Sequence, residues 1–237
     1  MRRPLLLVGA GGLGRETAEA VRAGDEWDLV GWADDDPTLW GTELDGLPVL
    51  GAPEVLLDHG SWSAVLCPGS GRVRARIADR LAALGLPEER FAAVVHPTAV
   101  VPRSCTVATG SILLGGTVLT ASVALGRHVV LMPGVVLTHD DVLADHVTVC
   151  ARVALAGGVA VGAGAYLGTG CTVRENLSVG AWSTIGMGAV VLQDVSPHEV
   201  WAGVPARRLR GSPTHGTAGE LRLPRDDGQA VTEGNRT

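Results

Sequence analysis

Lysine is absent from this sequence, so every side-chain cation other than histidine is arginine. Aromatic residues make up only 3% of its 237 positions, with one phenylalanine and one tyrosine. A core so poor in rings must be filled by Val, Leu, Ile and Ala, which suits thin, repetitive β structure better than a bulky sandwich. The net charge of −6 lacks the basic footprint that a nucleic-acid partner requires, so none is expected. No charge-free apolar run approaches the about 18 residues of a spanning helix, so no membrane association is expected either. The opening "MRRPLLLVGAGG" reaches a glycine turn too soon for a signal peptide, and no A-x-A site follows it. A cytoplasmic protein is the expectation. Cys67, Cys105, Cys150 and Cys171 show no CxxC spacing, which suggests neither a zinc site nor a disulfide framework.

What is present falls into two grammars. Residues 1–90 alternate strand and helix: "PLLLVGA" (4–10), "GRETAEAVRAG" (14–24), "DLVGWADDD" (28–36), "SAVLCPG" (63–69), and "RVRARIADRLAALG" (72–85) with Val73, Ile77, Leu81 and Leu84 on one helical face. This alternation implies parallel βαβ units, an α/β Rossmann-like domain. From residue 91 the period becomes six. Every sixth residue from Val95 through Val101, Val107 and Leu113 to Val191 is aliphatic, with no slip of register, and most residues four places later are small or aliphatic. Helical periodicity is 3.6, and so much glycine would cost a helix dearly. One inward aliphatic per short strand, followed by a turn, describes an all-β parallel β-helix over 91–211. Residues 212–237 are polar and rich in turn formers, and are expected to be a disordered tail.

The hexapeptide pattern resembles that of the left-handed β-helix acyltransferases, which use three hexapeptides per triangular coil. Together with "VGAGGLGRE" (8–16), "DDD" (34–36) and "RVRARIA" (72–78), it is similar to the sugar O/N-acyltransferases, among them sialic acid O-acetyltransferases and UDP-amino-sugar N-acetyltransferases. The resemblance implies acetyl-CoA, or another acyl-CoA, as co-substrate. It also implies an amine or hydroxyl of a sugar or sugar nucleotide as acceptor, and a homotrimer with the CoA slot between neighbouring β-helices.

Gly9, Gly11, Gly12 and Gly14 lie between a strand and a helix, where backbone N–H groups can meet a phosphate. Asp34 and Asp35, at the end of the second strand, could bond a ribose or a base edge. The family usually has a histidine where this chain has Leu13, and its "GDNxxR"-like stretch becomes "GSGRVR" (69–74). Leucine can neither donate nor accept a hydrogen bond, so the acceptor would be met differently at that position. A non-nucleotide natural-product acceptor is therefore a competing reading, and a non-catalytic β-helix binding protein is another.

The catalytic expectation centres on "THDDV" (138–142). His139 follows the inward Leu137 by two residues, so its side chain can point outward, and one coil later stand Gly157 and Gly158, a bare step expected to leave a slot for pantetheine. Histidine has a suitable pKa for a general base, and a carboxylate from Asp140 or Asp141 could orient it. Asp141 stands in a column that is otherwise small or apolar, where a carboxylate is costly unless paired, and His139 is the expected partner. An N–H of the 157–158 turn is expected to hold the thioester oxyanion. The resemblance places further CoA contacts at Thr148, Thr169, Met187, Gly188, Pro205 and Arg207, with "GVPAR" (203–207) closing over the CoA. His128 and His146, one coil apart, should stack, as solvated or trimer-interface residues. They lack a third converging ligand, so no metal is expected. Nothing marks Cys150 as an activated thiolate for a covalent route.

Overall fold

The computed structural model describes residues 2–209, so the tail expected at 212–237 lies outside the described residues. The N-terminal part is a three-stranded parallel sheet in the order β2-β1-β3, from β1 (Arg3–Val8), β2 (Trp27–Ala33) and β3 (Ser63–Leu66). Leu5, Leu6, Leu7 and Val8 are at most 1% exposed, the continuous apolar run of a strand covered on both sides. Helix α1 (Gly12–Ala23) buries Leu13, Thr17, Ala18 and Val21 against the sheet, and α2 (Gly71–Ala83) buries Arg74, Ile77, Ala78 and Leu81. Both helices begin earlier than the periodicity alone suggests, since their first turns carry glycine rather than an apolar marker.

From Val94 the chain coils through two-residue strands into three parallel sheets, each residue pairing with the one 18 places on, as in Leu137 with Leu155. The inward column from Leu113 to Val191 is buried and, with the small residues four places after each, makes one continuous core. Each fully buried aliphatic contributes about 1.5–3 kcal/mol, so repetition supplies what aromatic rings would otherwise provide. The column does not begin at Val95. Val95 and Val101 are 42% and 36% exposed, because the first coil has no coil beneath it to close over its interior.

One face of the triangle is covered. Ile112 and Val130 point outward from their strands yet are fully buried, sharing a core with Leu13, Val21 and Ala92. The N-terminal sheet therefore sits directly on the first coils, and the two parts share apolar packing. Among the described residues no helix is long and apolar enough to cross a membrane.

Candidate active site

His139 lies on the corner after Val136–Leu137, exposed, with its imidazole Nδ1 2.9 Å from Asp140 Oδ2. Asp140 is in the left-handed region (φ 64°), the turn conformation that lets an adjacent carboxylate reach back to the ring. The imidazole lies against Gly157 one coil later, where any Cβ would collide with the ring. The glycine step thus seats the histidine itself, and the open slot expected there is filled by the imidazole. At Gly158 a Cβ would meet Asn176, and the Gly158 N–H donates to the His139 carbonyl at 2.9 Å, which takes it out of consideration as an oxyanion donor. The Gly157 N–H has no acceptor among the described residues.

Asp141 departs from expectation. It does not hydrogen-bond His139. Its side chain is wholly buried and accepts from the backbone N–H groups of Thr138 and Val159, both at 2.9 Å. Burial pushes its pKa up to about 6, against the pull of those two donors. Asp140 alone is the partner of the histidine.

The residues expected at CoA occupy a different edge. Thr169 and Met187 stand one coil apart on the corner between the strands Tyr166–Leu167 and Thr172–Val173 and their successors, both exposed, Met187 at 80%. Gly188, Pro205 and Arg207 are exposed near the same end, and the Val204–Pro205 peptide is cis. Within one chain this edge is separated from the His139 edge by the sheet face carrying Val136, Ala154 and Thr172.

At the nucleotide end, Gly11 and Gly12 are exposed at the start of α1 and Gly9 (φ 103°) makes the turn out of β1. Gly14 permits close packing, since a Cβ there would strike the Gly9 carbonyl and Trp32. Asp34 accepts from the backbone N–H groups of Ala10 (2.8 Å) and Asp36 (2.9 Å), bracing the glycine loop, and Asp35 pairs with Arg80 at 2.7 Å. Among the described residues no group of three His, Cys, Asp or Glu side chains is placed to hold a metal ion.

Comparison with known proteins agrees with this layout. Residues 4–81 match the PglD N-terminal domain. The acetyltransferase domain of PglB from Neisseria gonorrhoeae FA1090 is 30% identical, covering 88% of this chain and 100% of its own, with a TM-score of 0.79. That domain has also been solved in complex with acetyl coenzyme A. The chain belongs to the hexapeptide-repeat β-helix sugar acyltransferases. Within that family, a histidine-to-asparagine mutant of perosamine N-acetyltransferase from Caulobacter crescentus, solved with CoA and GDP-perosamine, is 28% identical (87% of this chain, 96% of its own, TM-score 0.79). WeeI from Acinetobacter baumannii AYE is 27% identical (86% and 99%, TM-score 0.75). No curated protein matches the chain significantly by sequence.

The structure also accounts for the positions that depart from the family pattern, and for Thr148, which is buried under the N-terminal part and away from the edge expected to meet CoA. Leu13, in place of the family's histidine, is 7% exposed and packs in the core beside Ala18 and Trp32, so the side chain does not face an acceptor. Thr148 is 1% exposed; its hydroxyl donates to the Gly69 carbonyl (2.9 Å) and accepts from Arg74 (3.0 Å). Arg74 itself, the last residue of "GSGRVR", escaped the sequence reading as a functional position. Fully buried, it donates to the carbonyls of Pro68, Gly69, His128, His146 and Val147 and clasps α2 to the β-helix. Its carbonyl cage contains no carboxylate, and burial lowers its pKa to about 10. The one available signal was the arginine ending that altered stretch.

The clasp also explains the other histidines. His128 and His146 stack face to face with centroids 5.1 Å apart, as their spacing implies. They are not a solvated pair, however: His128 is 1% exposed under Phe91, and neither of its ring nitrogens finds a partner. Burial and the neighbouring His146 push its pKa down to about 3.

Proposed function

We propose that the protein transfers an acetyl group from acetyl-CoA to the amine of a nucleotide-linked sugar, with His139 as general base. The observation that carries this is the exposed imidazole held through Nδ1 by Asp140, which leaves Nε2 directed away from its carboxylate partner. With Nδ1–H donated to Asp140, Nε2 has a lone pair for the acceptor. As the sugar nitrogen attacks the thioester carbonyl carbon, Nε2 takes its proton. The C–S bond then breaks, and CoA leaves as a thiolate that takes the proton back from the imidazolium. An amide and free CoA result, and the unpaired Gly157 N–H is a donor for the transient oxyanion.

The acceptor class is drawn from the perosamine N-acetyltransferase, solved with CoA and GDP-perosamine. The exposed N–H groups at Gly11 and Gly12 suit a diphosphate. A homotrimer in the cytoplasm completes the reading. Thr169 and Met187 stand on a different edge from His139, so one CoA can meet both only if a second copy brings its edge alongside. Val142, exposed on a face left free, and Tyr166, exposed on the covered face's sheet beyond Ile112 and Val130, supply apolar contact area. Arg207, exposed at the end of the β-helix, suits a CoA phosphate.

The test is turnover with acetyl-CoA against a panel of GDP-, UDP- and dTDP-linked amino sugars, with mass measurement of the native assembly. Release of CoA thiol together with an acetylated sugar supports the reading. If acetyl-CoA neither stabilises the protein nor is consumed, the reading fails.

A further inference from the structure

One turn of the β-helix abandons a hydrogen bond that its neighbours keep. The residue after each inward aliphatic donates its N–H to the carbonyl of the inward aliphatic one coil later. Thr120 donates to Leu137 (3.1 Å), Met132 to Val149 (2.9 Å), Ala144 to Val161 (2.9 Å) and Ala156 to Val173 (3.0 Å). Thr138 does not. Its N–H turns to Asp141 Oδ2 at 2.9 Å, and its hydroxyl instead occupies the Leu155 carbonyl at 3.1 Å.

The second oxygen of the same carboxylate accepts from Val159 N–H on the next coil at 2.9 Å. Between these two anchored amides lies the histidine: its carbonyl is held by Gly158 N–H (2.9 Å) and its ring rests on Gly157. Ser111 shows what a smaller polar group does in the same column. Its hydroxyl accepts from Val129 N–H at 3.1 Å, one coil on, yet Ala108 N–H still reaches the Leu125 carbonyl at 3.1 Å. Only a side chain with two acceptor atoms both bridges the coils and diverts the ladder.

The neighbouring turns place valine here, at Val129, Val135, Val147 and Val153, each fully buried. A carboxylate in that position, with no cation hydrogen-bonded to it, is costly. It is the one acid in the column, and it sits two residues from His139. Local rules broken at a single place are expected where function is served.

We infer that Asp141 is a positioning residue: by drawing the Thr138 N–H inward and tying it to Val159, it sets the backbone that presents His139 over Gly157. This rests on the acetyl-transfer reading, whose base it would orient. Restoring the column's usual residue, Asp141→Val, lets Thr138 return to the Leu155 carbonyl and relaxes the turn.

The test compares wild type, Asp141→Val and Asp141→Asn in three readouts. These are kcat and KM for acetyl-CoA with GDP-perosamine and UDP-amino sugars as acceptors, the thermal midpoint, and the NMR signals of the Thr138 amide and the His139 ring. The expected result for Asp141→Val is a kcat lower by about tenfold or more, as for a small misplacement of a reacting group. Its KM for acetyl-CoA should stay within about twofold of wild type, and its thermal midpoint should be equal or higher. The Thr138 amide and His139 ring signals should move while those of His128 stay. Asp141→Asn, which keeps one acceptor oxygen, should fall between. Undiminished kcat overturns the inference, as does a kcat loss that tracks a lower thermal midpoint. If the wild type turns over no sugar, the functional reading fails separately. The NMR signals still decide the geometry then, and unchanged Thr138 and His139 signals overturn it.

Discussion

Two corners of the same β-helix carry histidines, and they have opposite fates. His139 is exposed, hydrogen-bonded to a carboxylate and bedded on a glycine. His128, with His146 behind it, is enclosed by α2, Phe91 and the Arg74 clasp and has no hydrogen-bond partner for its ring. The residue type is shared, but the place in the turn is not: His128 (φ 55°) and His146 (φ 63°) are themselves left-handed, whereas His139 precedes the left-handed Asp140 (φ 64°). The N-terminal domain then covers one corner and leaves the other bare. Burial disfavours the imidazolium and makes the covered histidines neutral packing elements. The other keeps its exposure and a carboxylate partner in Asp140.

The comparison breaks most severely if the cover is removed. Arg74→Met deletes the donor to five backbone carbonyls at the junction; Gly69 keeps Thr148 and Val147 keeps the Val130 N–H, but those of Pro68, His128 and His146 are left without a partner among the described residues. We expect a loss of about 3 kcal/mol or more in urea unfolding, since unpaired buried groups cost about 1–3 kcal/mol each and some relaxation will offset the sum. A loss below about 1 kcal/mol would mean that shared apolar packing alone seats the domain.

Acid tests the same corner. His128 is held near 3 in the folded state against 6.5 in its ordinary state, so between those values the unfolded chain binds more protons and stability rises with pH. The contribution is complete above about 6.5 and is lost steadily as pH falls toward 3. Asp141 works in the opposite sense: its folded pKa of about 6 lies above 3.8, so its protonation favours the folded state as pH falls through that window. His128→Asn, whose replacement tolerates the left-handed backbone at φ 55°, should flatten the acid limb of urea midpoint against pH. An unchanged slope would assign the limb to other groups.

At the exposed corner the changes should affect rate rather than folding. Gly157→Ala places a methyl where the His139 ring lies, and because Gly157 is not in the left-handed region no backbone strain accompanies it. The ring must swing aside, and kcat should fall about tenfold with the thermal midpoint nearly unchanged. Smallest of all is Arg127→Ala. Its ion pairs with Asp145 and Glu88 are half-exposed, so unfolding free energy should change by less than about 1 kcal/mol.

The six-residue register was legible in the sequence because each coil repeats one local rule, an inward aliphatic followed by a turn, and the βαβ pattern of residues 1–90 was legible for the same reason. His139 and Asp140 could be read because they are adjacent and outward on that register. What could not be read depends on contacts between distant segments. Arg74 looks like one more charged helical residue until α2 is docked against the carbonyls of His128 and His146. Asp141 was visible as an exception, but its partners are backbone amides on two coils, and no spacing rule distinguishes those from the nearer imidazole. Val95 and Val101 obey the repeat yet stay exposed, because a periodic column does not reveal where its open end lies.

The central claim is that His139 is the base and the covered histidines are not. It is tested most directly by measuring acetyl-CoA affinity and kcat, with GDP-perosamine and UDP-amino sugars, for wild type and His139→Ala. The account predicts unchanged acetyl-CoA affinity and thermal midpoint, with kcat reduced by about 10²-fold or more. Full activity in His139→Ala would contradict it.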